Sequence, residues 1–86
     1  MTPDERTEWL QSIKVGDAVL VWERAPKADA HYPGLVYYRM RGEIYVSVQM
    51  GDHERTIRFR RSTGQGIPKP TATWQSRYTL EPMPKE

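Results

Sequence analysis

The chain has 86 residues, no cysteine and a formal net charge of +2, which bounds it to one small domain with a thin core and little room for a deep substrate pocket. The missing cysteines exclude a disulfide framework, a thiolate zinc site and a cysteine nucleophile, and they favour a reducing cytoplasm. No apolar run nears the roughly 20 residues that cross a bilayer, and the acidic, polar start does not read as a signal peptide, so no membrane partner is expected.

Thr2-Pro3-Asp4-Glu5 has the marks of a helix start. Thr2 can cap, Pro3 suits the first helical position, Glu5 completes a capping box, and the two acids sit where the helix dipole favours negative charge. Trp9, Leu10 and Ile13 share one face, which predicts a short helix over residues 3–12 docked through Trp9 and Leu10. That helix reads as a lid on the open end of a barrel, with an acidic docking element as the alternative. Lys14-Val15-Gly16-Asp17 is a turn that launches the strand Ala18–Trp22, with Val15, Val19 and Val21 on one side and Leu20 and Trp22 on the other. Residues 24–34, with Pro26, Pro33 and Gly34, read as a long polar loop.

A three-stranded meander follows. Leu35–Arg41 alternates, with Val36, Tyr38 and Met40 inward and Tyr37, Arg39 and Arg41 outward. Glu43–Met50 places Ile44, Val46, Val48 and Met50 inward and Tyr45, Ser47 and Gln49 outward. Thr56–Arg61 returns with Ile57 and Phe59 inward and Arg58 and Arg60 outward. Period-2 alternation of this kind belongs to an antiparallel sheet with one wet face. Residues 62–74 form a second long loop, and Tyr78–Leu80 is a last short strand before a frayed tail at 83–86. One helix and about five short antiparallel strands predict a mostly β fold, a small barrel over residues 15–81, because closure removes exposed edges.

Val15-Gly16-Asp17-Ala18-Val19-Leu20-Val21 resembles the VGD-x-V-x-V opening of SH3-like barrels of the KOW and Tudor type, where such a strand leads into a long loop and a three-stranded meander. Arg58-Phe59-Arg60-Arg61-Ser62-Thr63-Gly64, with Trp74 and Leu80-Glu81-Pro82, is similar to small barrel proteins common in bacteriophages and prophages. Together the resemblance spans residues 13–82. It departs from the KOW pattern in that the glycine expected soon after the first strand is displaced to Gly34. The KOW class implies contact with nucleic acid, the Tudor class an aromatic cage, and the phage likeness a host cytoplasm.

Two groups of residues point to binding. Tyr37, Arg39, Arg41, Tyr45, Arg58 and Arg60 are expected on one sheet face with Arg61 at its edge. Arginine forks clamp phosphates and tyrosine rings stack on bases, so nucleic acid is the first partner considered. Arg–Tyr pairs on an ordinary solvated sheet would look the same. The second group, Trp22, His31, Tyr32, Lys69 and Trp74, lies in or near the two long loops and suits recognition of a host protein, including inhibition of one. A structural role in a virion or other oligomer is a third reading. His31 and His53 stand too far apart in sequence to suggest a metal site, and no serine has a nucleophile-elbow context. No enzyme, cofactor, metal or small-molecule substrate is expected.

Overall fold

The structure, a computed structural model, describes residues 2–24, 29–68 and 77–83. Helix α1 runs Pro3–Ser12. Thr2 caps it, its Oγ1 accepting from the Glu5 N–H at 3.2 Å while its hydroxyl donates to the Glu5 carboxylate at 3.1 Å. Five strands follow: β1 (Ala18–Glu23), β2 (Ala30–Arg39), β3 (Glu43–Met50), β4 (His53–Arg60) and β5 (Tyr78–Pro82). They form one antiparallel sheet in the order β4-β3-β2-β1-β5, so the fold is mostly β with one short helix.

The inner face of the sheet carries the core. Val19, Val21, Val36, Ile44, Val46, Val48, Ile57, Phe59 and Leu80 are all but fully buried. Leu10 from α1, Ile13 at its C-cap and Tyr78 complete the cluster, with Trp9 packed partly against it. The helix therefore roofs the inner face, as its apolar side requires.

The sheet edges β4 and β5 do not pair with each other. Residues 64–67 lie between them and bond to both. On the β4 side, the Arg60 N–H donates to Gln65 O at 2.8 Å and the Ile67 N–H to Arg58 O at 2.9 Å; on the β5 side, the Gly66 N–H donates to Tyr78 O and the Leu80 N–H to Gly64 O, both at 2.7 Å. This segment, expected as part of a loop, satisfies backbone groups that two edge strands would otherwise leave open. Gly64 permits its entry. Its φ is +75°, and a Cβ there would stand 2.6 Å from Arg6 Nη2 and 3.3 Å from Leu10 Cδ2.

Four further expectations are corrected. β2 begins at Ala30, inside the stretch expected to be a loop. It tolerates Pro33 because β2 pairs with β3 only from Gly34 onward, so, among the described residues, 30–33 pair with β1 alone. It needs Gly34 because a Cβ there would meet Val46 Cγ1 at 2.7 Å. Val15, expected on one side with Val19 and Val21, is exposed while they are buried, because the turn at Gly16 precedes the strand. β4 starts at His53, three residues earlier than the alternation indicated.

The fourth correction concerns sidedness. Val36 lies opposite Val46, but the next pair is Tyr38 with Tyr45, so Tyr37 is an extra residue, a β-bulge. The bulge breaks the strict alternation. Tyr38 and Met40, expected inward, are exposed, and Arg39, expected outward, lies opposite the buried Ile44 on the inner side.

Candidate binding surfaces

The bulge assembles three tyrosines on the outer sheet face. Tyr37 and Tyr38 are 44% and 52% exposed, and both meet Tyr45 edge to face, with ring centroids 6.1 and 5.4 Å apart. Leu35, opposite Ser47 on the same face, is exposed too. Val15 and Met40 are also exposed, at residues adjoining the two ends of this part of β2: Gly16 bonds to Val36 O, and Met40 to Glu43 O. Edge-to-face packing on the partly buried Tyr45 holds the Tyr37 and Tyr38 rings in place while leaving about half of each to solvent.

The arginines divide. Arg58 lies opposite Tyr45 and is joined to Glu43 at 3.0 Å. Arg60 is exposed and lies opposite Glu43, and Arg41 is exposed in the β2–β3 turn. Arg39 and Arg61 leave the face. Arg39 Nη1 donates to Ile13 O at 2.8 Å, and Arg61 Nη2 donates to Gln11 O at 2.6 Å. The reason lies in α1. Its last turn carries no basic residue of its own, so its final carbonyls and the negative end of its dipole are met by guanidinium groups from the sheet. Arg6 secures the other side of the helix through Glu81 at 2.9 Å and Leu80 O at 2.8 Å.

The second expected group also divides. Trp22 and His31 are opposed on the outer face of β1 and β2 and stack with centroids 5.2 Å apart. Arg24 stands 5.8 Å over the Trp22 ring. Tyr32 lies opposite Val21, on the inner side, and so does not join Trp22. Its hydroxyl donates to Glu23 at 3.3 Å. Tyr78, opposite Glu23, shares that carboxylate. Burial first, and then the hydrogen bond to Glu23, push the Tyr78 hydroxyl far above its ordinary pKa of 10.0. The same causes raise Tyr32 less. Lys69 and Trp74 lie outside the described residues.

Among the described residues no group of three His, Asp or Glu side chains converges as a metal site. His53 is exposed beside Asp52 at 3.4 Å. The hydroxyls of Ser12 and Ser47 donate to Trp9 O and to Glu54, neither to a histidine. Sequence reasoning missed Tyr38 because it assumed unbroken alternation. The available signal was the Tyr37-Tyr38 doublet, two large amphipathic rings in a row where a strand offers only one inward slot. It also passed over Arg24 and Arg77, which lay in or beside stretches read as loops.

No helix among the described residues is long and apolar enough to cross a membrane. No family model, curated protein or solved structure matches the chain.

Proposed function

We propose that this chain is a non-catalytic binding module of the SH3-like barrel type, whose outer β2–β3 face docks a protein with an apolar centre and a rim of carboxylates. The observation that carries this is the tyrosine trio, brought to one surface by the bulge, with Tyr37 and Tyr38 left about half exposed on the partly buried Tyr45. Tyrosine and exposed aliphatic side chains grouped on one face are the composition of protein interfaces, because such rings bury much area at little conformational cost. Arg41 and Arg60 border the trio and set the charge expected of the partner's rim. A first strand, a three-stranded meander and a return strand beside the first support the barrel type that the Val15-Gly16-Asp17 opening suggested. The phage likeness makes the host cytoplasm the place to look for the partner.

Nucleic acid is the rival, since Arg41, Arg58 and Arg60 share the face. It loses ground because Arg39 and Arg61 are committed to α1 and Arg58 to Glu43. Capture from lysate on immobilised chain, with and without nuclease, separates the two. The expected result is a nuclease-resistant protein partner that is lost with Tyr38→Ser and largely kept with Arg60→Ala. A tyrosine at the centre of an interface contributes about 2 kcal/mol or more, so the Tyr38 effect should exceed thirtyfold in affinity. Nuclease-sensitive capture, with log affinity falling linearly in log salt, would overturn the protein reading in favour of nucleic acid. Capture unaffected by Tyr38→Ser would remove the tyrosine face altogether.

A further inference from the structure

We propose that the cleft between β1, β5 and residues 63–65 is a binding site for a phosphate monoester, separate from the tyrosine face. The cleft holds about 560 Å³ and is lined by Arg24, Arg77, Thr79, Gln65 and the Arg6–Glu81 pair. Its charge comes from the strand register. Glu23 lies opposite Tyr78, and the Arg24 N–H donates to Arg77 O at 3.1 Å, so the two arginines are the next opposed pair. Like charges facing each other across a ladder repel. The nearby acids do not offset them: Glu81 is held by Arg6, and Glu23 belongs to the inner side, bonded to Tyr32.

Thr79 lines the cleft beside the pair, whereas Trp22 lies under Arg24 and is not part of the lining. Trp22 and Thr79 are opposed one step along the same outer face. Trp22 Nε1 and Thr79 Oγ1 are two of the four buried side-chain polar atoms that have no hydrogen-bond partner among the described residues. Arg24 is further positioned by the Trp22 ring beneath it. Two guanidinium forks, with the Thr79 and Gln65 side chains on the cleft wall, present donors and positive charge. That set repels cations and fits a tetrahedral oxyanion. A monoester, close to a dianion at neutral pH, balances both arginines, whereas a diester carries only half that charge.

The test is a nuclear magnetic resonance titration of the full chain with inorganic phosphate, O-phosphoserine and a nucleoside 5′-monophosphate, at ionic strength held constant with sodium chloride. The Trp22 indole N–H, assigned through its loss in Trp22→Phe, should shift and saturate while that of Trp9 stays put. Arg24→Gln and Arg77→Gln should each weaken the affinity about tenfold, the usual effect of losing one charge-assisted hydrogen bond. Both side chains are exposed, so these variants keep the fold, as circular dichroism would verify. The order of affinity among the three probes identifies the source of the phosphate. Tyr38→Ser should change nothing here, so this proposal stands or falls apart from the tyrosine face. An indole signal that does not saturate, or affinities unchanged in both arginine variants, would overturn it. So would tighter binding of oligothymidylate with a steep salt slope, which would assign the cleft to a phosphodiester backbone.

Discussion

Gly34 shows how a single missing atom can decide a strand. It sits on the inner side between Val21 and Val46, and a Cβ would come 2.7 Å from a branched, fully buried valine that cannot swing aside. Gly34→Ala should therefore destabilise the protein by about 1–3 kcal/mol through overpacking, read as a lower urea midpoint with an unchanged slope. Tyr78 supplies a second residue-level effect. Its raised pKa means that the folded chain holds the phenol proton more tightly than the unfolded chain. That stability is complete below pH 10 and is lost as pH climbs above it. Unfolding monitored from pH 8 upward should show this alkaline loss, and Tyr78→Phe should flatten it, with Tyr32→Phe flattening it less.

At the level of elements, α1 is a helix finished by its neighbours. Its N-terminus is self-sufficient, with Thr2 capping and Asp4 and Glu5 in the first turn. Its C-terminus is not, and Arg39 and Arg61 reach across to close it. Thr2→Ala should lower stability by about 1 kcal/mol. Arg61→Ala should cost a similar amount, on the order of 1 kcal/mol, and hydrogen exchange should report faster opening of α1 amides with β3 unaffected. The helix was legible in the sequence because its cap, its proline and its apolar spacing are all local. β3 and most of β4 were legible for the same reason, their alternation running unbroken from Ile44 to Met50 and through Ile57 and Phe59. β2 was only half legible. The bulge shows in the sequence only as the Tyr37-Tyr38 doublet, so strict alternation puts Tyr38 and Arg39 each on the wrong side. Pro33-Gly34 reads as a break wherever the one-sided pairing and the crowding by Val46 are not yet known. The candidate site suffered accordingly. Tyr37, Tyr45, Arg58 and Arg60 lie on the outer face as the alternation has them, while the withdrawal of Arg39 and Arg61 depends on long-range contacts to a helix whose need for them lies some 26 to 50 residues away in sequence.

The whole molecule is held shut by a short piece of chain with no regular strand of its own. Residues 64–67 tie β4 to β5, and Gly64 brings that piece under α1, so the helix, the closure and both sheet edges meet in one place. Gly64→Ala would force a left-handed residue to carry a Cβ into Arg6 and Leu10, and should cost about 2–3 kcal/mol. Because the loss falls on a junction shared by every layer, unfolding should remain a single transition at a lower midpoint, with fluorescence and circular dichroism coincident. Two separated transitions would show instead that the helix and sheet come apart independently.

Tyr37 has one more consequence. Removing a residue from the middle of a strand ordinarily turns every later side chain to the opposite surface. Here it would turn none. Tyr38 already faces Tyr45 and Arg39 already faces Ile44, and the β1 ladder has ended before this point. A chain lacking Tyr37 would simply have a regular ladder, two phenol rings instead of three, and the same guanidinium under the same helix. That shortened protein offers a way to subtract recognition from the surface while the architecture beneath it stays as it was.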